Sequence, residues 1–153
     1  MTLPLIKALD LTQRPPRSMR VRLGGYSILP RILDKCRAVL VGKNGEYNFD
    51  CPLDHQFFKF AGVKPDAFKS EVAQGHGDSA ILAWIQSQSL VLRSPWEIEQ
   101  WSDYHDRRGP SSDAETLAYF ASTLGKFSAT REDICSWADL LDLDDHLSFG
   151  GQA

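Results

Sequence analysis

Leu29, Ile32, Leu33, Cys36, Val39 and Leu40 recur at helical spacing. At about 100° per residue they gather into one arc, the mark of a core-facing helix. The spacing predicts a helix over 28–40, with Ser27 as its N-cap. Pro30 is tolerated there because the first turn has no intrahelical donor to lose. On this wheel Arg31 and Asp34 point away from the apolar arc, while Lys35 and Arg37 flank it. Asp34 stands three residues from both arginines and can pair with either. Similar periodicity with start signals predicts helices over 79–88, 95–107, 113–125 and 131–146. Ser94-Pro95-Trp96-Glu97 and Ser112-Asp113-Ala114-Glu115 read as capping boxes, and Thr130 with Asp133 approximates a third. Two shorter helices are expected in "CPLDHQFFKFAG", capped by Asp54 and stopped by Gly62, and in "KPDAFKSEVAQG", between Pro65 and Gly75.

Outside these segments the apolar pattern breaks down. Residues 10–27 carry Pro15-Pro16, Gly24-Gly25 and four arginines, so they read as an irregular or extended arm whose Val21, Leu23 and Tyr26 pack over the body. In "KNGEYNFD" the Asn44-Gly45 turn signal precedes alternation of Tyr47 and Phe49 with polar residues. That predicts one short strand or hairpin near residues 44–50. The fold class expected is all-α: one multi-helix domain spanning 1–153, with residues 1–27 as an extended basic arm.

Composition narrows the class further. At 153 residues, 42% hydrophobic and 24% charged, the chain suits one soluble globular domain. No apolar run approaches the ~20 residues needed to span a bilayer. The start "MTLPLIKALDL" lacks the layout of a signal peptide. Cys36, Cys51 and Cys135 match no CxxC spacing and read as reduced thiols, so the expected location is the cytoplasm. The net charge of −3 conceals an asymmetry: residues 1–45 hold nine Lys/Arg and two acids, leaving eight bases and eighteen acids for the remainder. A basic end of this kind either meets an anionic partner or lies across its own acidic body. The second reading needs no further molecule and is preferred.

The sharpest chemical candidate is the stretch "GGYSILPRILDK". A glycine pair ahead of a helix start can present backbone N–H groups to an anion, with nearby arginines as charged donors. The ligand-binding set is therefore Arg20, Arg22, Gly25, Tyr26, Arg31, Asp34, Lys35 and Tyr47. The spacing fits neither a P-loop nor a dinucleotide fingerprint. The competing structural reading pairs Arg31 and Arg37 with Asp34 and with C-terminal acids. Asp50 and Asp54, beside Tyr26 and Tyr47, read as turn and cap residues. The four histidines show no metal-ligand spacing, and "DLLDLDDH" reads as solvated charge at a helix end. Cys36 and Cys135 read as core residues, and so do the four tryptophans. No metal and no cofactor is expected.

The segments "PRSMRVRLGGYSILPRILDKCRA", "GEYNFDCPLD" and "WADLLDLDD" together resemble a bacterial domain family of unknown function. The resemblance implies no activity, cofactor or catalytic residue. It does imply that the arginine arm, the LPR-x-x-DK helix and the GEY turn belong to one constellation. Three functions follow in order of support. The first is binding of a small phosphorylated or carboxylated ligand; the second is a protein-interaction module. The third is a hydrolase or transferase built on Asp34, Tyr47 and Asp50. Nucleic acid is not an expected partner, since the basic run is short, the whole chain is acidic and no recognised module is present. Nor is a membrane.

Overall fold

A helix that carries Arg31, Asp34, Lys35 and Arg37 would normally turn that face to water. In the computed structural model, which describes residues 4–88, 90–110 and 112–153, α1 (Leu29–Leu40) is buried on nearly every side, Arg31, Asp34 and Lys35 included. The remaining helices are α2 (Pro52–Ala61), α3 (Pro65–Val72), α4 (Asp78–Gln88), α5 (Pro95–Arg107), α6 (Ala114–Phe127) and α7 (Trp137–Ser148). Among the described residues the protein is all-α apart from one two-stranded antiparallel hairpin, β1 (Arg22–Leu23) and β2 (Tyr26–Ser27). Among the described residues no helix is long and apolar enough to cross a membrane.

The β element lies at 22–27, not at 44–50 as the alternation suggested. Its strands are two residues each, too short to show a period of two. The signal that mattered was Gly24-Gly25, which forms the two-residue loop between Arg22↔Ser27 and Leu23↔Tyr26. Both glycines have positive φ, 59° and 83°, as a primed hairpin turn demands. A Cβ on Gly24 would also sit 2.6 Å from the Leu82 side chain. The stretch 44–50 is instead two turns, with Tyr47 N–H donating to the Asn44 carbonyl and Asp50 at a positive φ of 66°.

Helix starts follow the predicted cap at α5 and shift by one residue at α6, where Asp113 and not Ser112 is the N-cap; α1, α2 and α7 start from other caps. Ser94 and Asp113 cap α5 and α6. The final helix begins at Trp137, six residues later than the 131–146 expectation, because Ser136 and Asp139 complete a capping box there. Asp133 pairs with Arg131 instead. At α1 the N-cap is Ile28 in the left-handed region, φ 67°, an uncommon place for a β-branched residue. Ser27 is drawn away from capping. Its hydroxyl donates to the Met19 carbonyl and meets Asp106, and its N–H donates to Ser102 Oγ.

The main core packs Leu29, Ile32, Leu33 and Cys36 of α1 against Phe57, Phe58, Phe68, Val72, Ile81 and Ile85. Burial pushes the Cys36 thiol up to about 12, which makes it an inert core residue. A smaller cluster, Phe120, Ile134, Leu140 and Leu143, joins α6 to α7.

His105 on α5 is 2% exposed and stacks on Trp101 at 4.7 Å. Burial, helped by the nearby Arg108, lowers its pKa from 6.5 to about 4, against the opposing fields of Asp106 and Asp54. The unfolded chain therefore takes up a proton between pH 6.5 and 4 that the folded chain refuses. The folded state should lose stability as pH falls through that window, by about 2 kcal/mol at pH 5. Chemical denaturation across pH 4–7 should show this slope, and His105→Gln should flatten it. An equally steep slope in the variant would assign the effect to other groups.

Candidate binding cleft

Because α1 is buried, each of its charges needs a partner on the element that covers it. Asp34 faces the arm and accepts from the Arg17 backbone N–H at 2.8 Å and from its guanidinium at 3.0 Å. Arg37 reaches Asp78 at 2.7 Å. Asp34 therefore pairs with neither Arg31 nor Arg37, contrary to the helical-wheel expectation. The third partner, Arg17, comes from the arm and is invisible on a wheel. On the opposite side, Arg31 meets Asp145 of α7 at 2.7 and 3.2 Å, and Lys35 meets both oxygens of Asp54 of α2 at 2.9 Å. Asp54, fully buried, also accepts the backbone N–H groups of Asp50 and Cys51 at 2.9 and 3.3 Å. It occupies the third position of α2, after a Cys51 N-cap, and is not the cap itself.

Between α1, the 44–51 turns, the start of α2 and the end of α7 lies an open cavity of about 670 Å³. Arg31, Lys35 and Asp54 line it beside Tyr47, Asn48 and Cys51, and Glu46, Asp144 and Ser148 complete its charged and polar wall. Tyr47 spans the turn to α7: its hydroxyl donates to Asp145 Oδ1 at 2.8 Å, and the Arg31 guanidinium sits 5.5 Å from its ring centroid. Burial, with the Asp145 hydrogen bond and charge, raises the Tyr47 pKa well above its usual range, so the phenol stays a donor. For Arg31, burial opposes the charge, but the hydrogen bonds and field of Asp145 outweigh it and the pKa lies above its ordinary value. A cation held this firmly is a permanent feature of the cleft.

Asp145 takes the end fork of the guanidinium, through Nη1 and Nη2. Nη1 also donates to the Arg17 carbonyl at 3.4 Å. Among the described residues, no acceptor engages the side fork formed by Nε–H and the outer Nη2–H. That fork has the geometry to grip a carboxylate with two parallel hydrogen bonds. Lys35 is different: two carboxylate oxygens and the Cys51 sulfur at 3.5 Å account for its three donors.

The expected ligand set thus divides. Arg31, Lys35 and Tyr47 line one cavity. Asp34 lies on the far side of α1, and Arg20 and Arg22 are struts to α7 and α5. Arg20 pairs with Asp139 and Asp142, and Arg22 with Asp103 and Asp106 at 2.7 and 3.1 Å. Gly25 is in the hairpin turn, three residues before the Ile28 cap, and its carbonyl accepts from Ser102 Oγ at 2.7 Å. Tyr26 is 4% exposed against Phe57 and Phe60. Among the described residues, the cavity that Tyr47 lines includes neither Asp34 nor Asp50, and Asp50 pairs with His55 at 3.2 Å. The arm's acid-paired arginines agree with the reading in which it lies across its own acidic body.

Asp145 was missed because "DLLDLDDH" looks uniformly solvated. Its signal was position: Ala138, Leu141 and Asp145 fall on one stripe of α7, so a carboxylate there faces inward. Residues 13–147 match a family model described as "Domain of unknown function (DUF5069)". No curated protein matches the chain.

Proposed function

Because the chain belongs to the DUF5069 family, whose description assigns no activity, we propose its function from the cleft: binding of a small ligand through a carboxylate held by Arg31. The observation that carries this reading is the unengaged side fork of a buried, permanently charged arginine lining a cavity of metabolite size. A carboxylate suits the site better than a phosphate. Arg31 and Lys35 are each already balanced by an aspartate, and Glu46 and Asp144 add negative charge to the wall. In such a field a monoanion meets less repulsion than a dianion. Gly24 and Gly25 do not line this cavity, so α1 side chains rather than their backbone N–H groups would do the recognising.

The reading predicts a melting temperature higher in butyrate than in chloride at matched ionic strength, because a ligand selective for the folded state stabilises it. Arg31→Lys keeps the charge and removes the fork, and should abolish the difference between the two salts. Equal melting of the wild-type protein in both salts would overturn the proposal.

The protein-interaction alternative loses part of its support, since Arg17, Arg20 and Arg22 of the arm are paired with acids of the same chain. It retains one observation: Leu90, Leu92 and Trp96, between α4 and the start of α5, are 95%, 85% and 61% exposed.

A further inference from the structure

Resting on the carboxylate cleft proposed above, we infer that the ligand is a carboxylic acid with a narrow apolar arm, and that the arm lies in a second cavity between α6 and α7. This crevice, of about 320 Å³, is walled chiefly by Phe127, Trp137 and Leu140. It adjoins the first cavity: Cys51, Leu53, Leu141 and Asp144 line both. A polar head site and an apolar slot are therefore neighbours across shared residues. Apolar walls left uncovered forgo both dispersion contacts and the gain from excluding water, so an apolar arm entering the slot is favoured. Arg108 also lines the slot, and among the described residues its buried Nε–H has no acceptor; the support for an apolar arm is the apolar wall, not this donor. The charged head alone does not account for the apolar wall of the slot, and that wall alone does not account for the open fork of Arg31. Together they describe an amphipathic acid.

The test is a homologous series, acetate, butyrate, hexanoate and octanoate, titrated by NMR into the wild-type protein and into Thr123→Trp. Thr123 is half-buried on α6 and lines the slot, and among the described residues its hydroxyl donates only to the Tyr119 carbonyl of its own helix. An indole there fills the slot without touching Arg31. Wild-type affinity should rise about fourfold per methylene until the slot is full. In Thr123→Trp the series should be flat from butyrate onward, while acetate binds as in the wild type, which also shows that the variant is folded. Acetate binding with no dependence on chain length would overturn the inference and leave the cleft reading intact. A chain-length gain that persists in Thr123→Trp would place the arm elsewhere and overturn it too. Failure of every member, acetate included, would overturn the cleft reading and this inference with it.

Discussion

Asp54→Ala should destabilise the protein by about 3–5 kcal/mol, the cost of leaving a buried charge without its partner. Asp54 is 0% exposed and Lys35 4% exposed, and both carboxylate oxygens lie 2.9 Å from the ammonium. Removing the carboxylate strands the Lys35 charge and withdraws the acceptor of two backbone N–H groups at the start of α2. The pair itself contributes far less than this loss suggests, because burying two charges costs nearly what their attraction returns. Lys35→Met combined with Asp54→Ala should therefore be more stable than Asp54→Ala alone. Urea denaturation of the two single variants and the double variant measures the coupling directly. A double variant no better than Asp54→Ala would show that Asp54 matters for its backbone contacts and not for Lys35.

Leu33→Ala should cost about 2–5 kcal/mol, since it opens a cavity in the main core that the rigid surroundings fill only in part. Leu33 is fully buried in the cluster that joins α1 to α2, α3 and α4. The change touches no charge, so the loss should be the same at pH 6 and pH 8. A cost below about 0.5 kcal/mol in urea would place Leu33 at a surface position and contradict the packing of α1.

Much of the helical frame is legible in the sequence. Ser94-Pro95-Trp96-Glu97 places α5 to the residue, and the 3.6-residue period places α1 within one. The legible features are local, decided by neighbours three or four residues apart. What escaped is decided at long range. A wheel gives Asp34 two arginine neighbours, but its partner Arg17 arrives from the arm, seventeen residues away. The partner of Arg31 is 114 residues distant on α7. Three of the eight expected ligand residues, Arg31, Lys35 and Tyr47, share a cavity because α1 and the following turn are adjacent in sequence. Asp54 and Asp145, which balance those cations, each read locally as an ordinary helix-end acid. The hairpin escaped for a different reason: two-residue strands have no period, and only the Gly-Gly pair carries the information.

The central claim is that the side fork of Arg31 receives a carboxylate. Its most direct test is the Arg31 Nε–H resonance, identified by its loss in Arg31→Lys and followed by NMR as butyrate replaces chloride at constant ionic strength. A bound carboxylate converts an unengaged N–H into a charged hydrogen bond, so the resonance should move downfield and its exchange with water should slow. A resonance that stays where chloride leaves it, in position and in exchange rate, would contradict the claim.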